Sequence, residues 1–66
     1  PETALSAREL EILQALSTGQ SNKQIAQELF ISEATVKTHL IHVYQKLGVD
    51  TRTAAVSAAR ERKLIP

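Results

Sequence analysis

Apolar residues recur three and four residues apart in four separate stretches of this chain, the spacing of a helix that buries one face. The clearest stretch is SEATVKTHLIHVYQKLG, residues 32–48, where Val36, Leu40, Val43 and Leu47 fall on one stripe. Ser32 is placed to accept an orphan backbone N–H at the start, and Gly48 can take the left-handed conformation that ends a helix. Earlier, Ser6 and Glu9 read as a capping box leading into Ile12, Leu13 and Leu16, with Gly19 as the stop and Leu5 as a hydrophobic staple. Ser21 and Gln24 repeat the box before Ile25, Ala26 and Leu29. Asp50-Thr51 then offers an N-cap to an alanine-rich stretch with Ala55, Val56 and Ala59 on one face. The pattern predicts an all-α fold of four helices at about 7–18, 22–30, 33–47 and 52–63.

Only about three residues, Phe30 to Ser32, separate the second and third helices, which forces a sharply angled pair, a helix-turn-helix, with Ile31 plugging the angle. The outer face of the third helix then decides what the pair can do. Ala34, Thr38, Ile41 and Gln45 project away from the apolar stripe, flanked by Lys37 on one side and by Thr35, His42 and Lys46 on the other. None of these is a carboxylate. A face that is small or polar in the middle and cationic at its edges suits a base edge between phosphates better than it suits water.

With 66 residues the chain makes one small domain, residues 6–66, after the end of a linker at 1–5. It starts at Pro1 and has no Met, as expected of a piece of a longer polypeptide. It also lacks Cys, which removes disulfides and cysteine zinc sites, and it has no apolar run long enough to span a bilayer; a cytosolic setting is expected. The formal charge is only +1, but residues 1–18 carry −2 and residues 19–66 carry +3, so the basic part contains the third helix. Glu9 lies on the apolar stripe of the first helix and, if buried, needs a partner, for which Arg52 is the candidate; its capping-box role is the alternative explanation. Ala54, Ala58 and Ile65 line a second small-residue face of the fourth helix that could meet another copy, although alanine is also simply the best helix former.

Five blocks, L-S-x-R-E-x-E-I-L (5–13), G-x-S-N-K-Q-I-A (19–26), I-S-x-x-T-V-K-x-H (31–39), K-L-G-V (46–49) and R-T-x-A-V (52–56), resemble the LuxR-type DNA-binding domain of NarL/FixJ-type response regulators and quorum-sensing regulators. The resemblance implies a third helix in the major groove of double-stranded DNA and a fourth helix that pairs two copies there. It implies base-edge roles for Lys37, Thr38 and Ile41, phosphate roles for Lys23, Thr35 and Lys46, and a dimer contact through Ala54, Ala58 and Ile65. Further implied partners are a receiver or ligand-binding domain elsewhere in the full-length chain and RNA polymerase; no cofactor, metal, catalysis or membrane is implied. Three positions depart from the pattern: Ile41 replaces a polar reader, Thr51 replaces an Asn, and Lys63 stands where Gly is frequent. The alternative function is a helix-turn-helix reused as a protein-interaction module. Cationic edges without aromatic or Leu anchors count against it. His39 and His42 share a metal-like spacing, but with no Cys the other ligands would have to be carboxylates, and that face has none.

Overall fold

The structure, a computed structural model, describes residues 4–66. Four helices follow one another: α1 Ala7–Ser17, α2 Asn22–Leu29, α3 Glu33–Leu47 and α4 Arg52–Glu61. The linker end assigned to residues 1–5 lies largely outside the described residues, and only Ala4 and Leu5 are seen, before α1. None of the helices is long and apolar enough to cross a membrane.

All four starts are closed by hydroxyl caps, Ser6, Ser21, Ser32 and Thr51, each accepting from the backbone N–H three residues on. At Ser6 and Ser21 the cap's own backbone N–H donates in return to the side-chain oxygen of Glu9 or Gln24, which completes a capping box. The ends share a second device. Gly19, Phe30, Gly48 and Lys63 all have positive φ, at 85°, 58°, 70° and 57°. At each, the next residue's N–H reaches back five positions: Gln20 to Ala15, Ile31 to Ala26, Val49 to Tyr44 and Leu64 to Ala59. This is the Schellman closure, and it satisfies carbonyls the helix leaves open. It also shortens α4, which stops at Glu61 rather than running to 63, because the left-handed Lys63 turns the chain.

α3 is the centre of the packing. It touches each of the other helices, α1 also meets α2 and α4, and α2 and α4 flank this pair without backbone contact between them. Val36, Leu40, Val43 and Leu47 from α3 enclose Ile12, Leu13 and Leu16 from α1, with Ile25 and Ala26 from α2 and Ala55 and Ala59 from α4 completing the core. Three of the residues that follow the left-handed closures, Ile31, Val49 and Leu64, pack against this core, so the same turn that ends a helix also seals its end. Ile65 is itself a core residue, 6% exposed. That corrects its assignment to a contact with a second copy: its surface is already covered by its own chain. At the end of α3, Arg62 donates from Nη2 to the carbonyl of Leu47 at 3.1 Å, placing a cation at a helix C-terminus where the backbone dipole favours it.

Candidate nucleic-acid interface

Burying the Val/Leu stripe of α3 leaves the opposite side of that helix in water. Thr35, Lys37, Thr38, Ile41 and His42 are exposed, and Ile41, at 55%, is with Phe30 one of two large apolar residues classed as exposed among the described residues. The three residues assigned to base edges therefore share one outward face. Lys37 makes no ion pair with a described residue, so its charge is not neutralised by the fold. Thr38 donates its hydroxyl hydrogen to the carbonyl of Ala34 at 3.1 Å. While that bond holds, Thr38 offers DNA lone pairs and a methyl group, which match the amino groups of adenine or cytosine and the methyl of thymine. Ile41 can add only apolar contact. Thr35 stands at the mouth of α3, its N–H on the Ser32 hydroxyl at 3.1 Å and its own hydroxyl 2.8 Å from the same oxygen. Lys23 is exposed in the first turn of α2. His39 is half-buried, and no three His, Asp or Glu side chains gather among the described residues.

Lys46 behaves differently from Lys37, the other lysine of α3. Its Nζ donates to Glu9 Oε1 at 2.7 Å and to the carbonyl of Ala4 at 3.2 Å. The carboxylate side chain is 5% exposed and the lysine 28%, so the ammonium is turned toward α1 and its charge is already matched. This corrects two expectations together. Lys46 is not a free phosphate contact, and the partner of Glu9 is Lys46 rather than Arg52. Glu9 keeps its capping role as well, because the same Oε1 accepts the Ser6 N–H at 2.8 Å. Burial alone would raise the Glu9 carboxyl. The bonds from Lys46 and Ser6 and the charge of Lys46 outweigh that and hold it below the ordinary 4.5.

Arg52, relieved of Glu9, spans the gap between α4 and α2. Its Nη1 donates to the carbonyl of Gln20 and its Nη2 to Asn22 Oδ1, both at 2.8 Å. Because guanidinium can only donate, the amide oxygen of Asn22 must face it. Sequence reasoning missed Asn22, which lies within the second block beside Lys23 but carries no periodic or charge signal. On α4, Ala54 and Ala58 are half-buried. They are the part of the assigned dimer contact still open to another molecule.

Comparison with known proteins agrees with this geometry over nearly the whole chain. The family described as "Bacterial regulatory proteins, luxR family" matches residues 3–59. The probable transcriptional regulatory protein NarL of Mycobacterium tuberculosis is 49% identical over 61 residues, which are 92% of this chain and 28% of that protein. The transcriptional regulatory protein LiaR of Bacillus subtilis is 45% identical over 65 residues, 98% of this chain and 31% of that protein. The chain thus spans less than a third of the length of these relatives. Among solved structures, the response regulator ChrA of a heme-sensing two-component system superposes with a TM-score of 0.92 at 71% identity, covering 94% of this chain and 31% of that one. The transcription factor GerE superposes with a TM-score of 0.89 at 39% identity, covering 94% of this chain and 92% of its own.

Proposed function

The chain belongs to the luxR family of bacterial regulatory proteins, as a helix-turn-helix DNA-binding domain, and from that premise we propose how it reads DNA. α3 lies in the major groove with Lys37, Thr38 and Ile41 on base edges, while Lys23 and Thr35 hold phosphates on either side. The observation that carries this reading is the outward face of α3: exposed, cationic through a Lys37 that pairs with no described carboxylate, and free of carboxylates between Ala34 and Lys46. Two copies bind adjacent half-sites about one helical turn apart and touch through Ala54 and Ala58 of α4. Each contact is small, and DNA supplies the proximity that makes it count. In the full-length protein a regulatory domain, a phosphorylated receiver as in response regulators, governs that pairing and so the occupancy of promoters read by RNA polymerase. A cytoplasmic setting follows from this role.

Binding to a selected site and to random duplex, measured over a range of salt, tests the division of labour. Lys37→Ala costs about 1–3 kcal/mol on the selected site and much less on random DNA, whereas Lys23→Ala weakens both alike and lowers the salt slope by about one. Equal ratios of specific to random loss in the two variants would refute it.

A further inference from the structure

Beside the reading face of α3 lies a cleft of about 330 Å³, lined by Asn22, Lys37, Leu40, Ile41, Tyr44 and Arg52. Its floor is apolar and its rim can almost only donate hydrogen bonds. Lys37 brings an ammonium. Arg52 spends two N–H groups on Gln20 and Asn22 and keeps the others, with no carboxylate of the described residues within 4.0 Å. Asn22 has its amide oxygen committed to Arg52, which leaves its NH₂ to donate. Tyr44, half-buried on the core, also lines the cleft. Two cations and no carboxylate line this cleft, in contrast to the cleft between α1 and α2, which holds Glu11 and Glu28.

The geometry points to a seat for one sugar-phosphate unit of the DNA strand flanking α3, with Arg52, Asn22 and Tyr44 donating to the phosphate and Leu40 and Ile41 lying against the deoxyribose. Two arguments select DNA as the occupant. The cleft is continuous with the reading face, since Lys37 and Ile41 belong to both, and a ligand held by the face is carried past the cleft. A phosphodiester is also acceptor-only where the rim is rich in donors, and its sugar is apolar where the floor is apolar. Arg52 gains a second role in this arrangement. It fixes the start of α2 against α4, and with it the position of Lys23, so the guanidinium both contacts the strand and sets the angle at which α2 meets it.

The inference rests on the DNA-binding reading above, and the test separates the two. A duplex selected from a random pool by the 66-residue chain is resynthesised with one neutral methylphosphonate at a time. Failure of the unaltered chain to select any duplex would overturn the DNA-binding reading before a variant is examined. Given a selected site, one linkage outside the base-contact steps should weaken the unaltered chain by about tenfold when neutralised. The same neutralisation should cost Arg52→Gln and Tyr44→Phe less than about threefold, because a partner of that phosphate has already gone. Tyr44→Phe keeps the ring and the core packing and so decides the matter even if Arg52→Gln fails to fold. An undiminished tenfold penalty at every sensitive linkage in Tyr44→Phe, and in Arg52→Gln where it folds, would overturn the seat and leave the cleft to an acidic protein partner.

Discussion

Replacing Lys46 by Met keeps the aliphatic stem against the core and removes only the ammonium, leaving the Glu9 carboxylate uncompensated in charge, with the Ser6 N–H as its remaining hydrogen-bond donor among the described residues. Breaking a fully buried pair costs about 3–5 kcal/mol, while exposed pairs are worth about 0–1. Here the carboxylate is 5% exposed and the lysine 28%, so water partly replaces the lost ammonium and the cost should be about 2 kcal/mol. Set against roughly 3–10 kcal/mol for a domain of this size, that is a large share of stability. In urea, with a slope of about 1 kcal/mol per molar, the midpoint should fall by about 2 M. The pH dependence has a definite sign. Because the folded Glu9 carboxyl lies below 4.5, the unfolded chain binds the proton first, so the pair's contribution is present above 4.5 and fades as pH falls through the lowered folded value. The gap between the two proteins should therefore close in acid. Glu9→Gln combined with Lys46→Met should lose less than the sum of the single variants, by at least about 1 kcal/mol. Once both are folded, Lys46→Met and the unaltered chain should bind random DNA with the same salt slope. Unchanged stability together with a slope lowered by about one would refute the reasoning and return Lys46 to the phosphates.

Phe30 is 94% exposed and left-handed, so Phe30→Gly gives up little packing and relieves backbone strain of about 1–2 kcal/mol at a backbone-entropy cost of about 0.5–1. A gain of about 1 kcal/mol, or roughly 4–8 °C in Tm, should appear by calorimetry; no advantage over Phe30→Ala, which keeps the strained Cβ, would show that strain is absent. Ala58→Glu should abolish cooperative filling of a two-half-site duplex while single-site binding stays nearly intact, and an unchanged double-site curve would remove α4 as the contact between copies. Ile65→Ala should act on folding instead, costing about 2–4 kcal/mol in urea denaturation, because its side chain fills the core.

What could be read from the sequence divides according to how far apart the cooperating residues lie. Ser6 with Glu9, Ser21 with Gln24, and the four-three-four stripe of α3 are local patterns, and each fixes a cap or a buried face without knowledge of the rest of the fold. Glu9 was identifiable as a buried acid in need of a cation, but its partner sits 37 positions away, and the choice between Lys46 and Arg52 depends on how α1 crosses the end of α3. Hydrophobic spacing carries no information about that crossing. The helix ends show the same boundary from another side. Two of the four left-handed closures are glycines; the other two are Phe30 and Lys63, whose side chains give no local sign of positive φ, and the predicted helices ran on by one residue at Phe30 and two at Lys63, against one at Gly19 and none at Gly48. Ile65 went astray for a related reason: the turn at Lys63 carries it back over the core, whereas a continuing helix would have left it facing outward. The face of α3 needed none of this. Its outward residues follow from the stripe opposite them, and for that reason Lys37, Thr38 and Ile41 are exposed as the spacing predicts, whereas Lys46, at the edge that α1 covers, is turned onto Glu9.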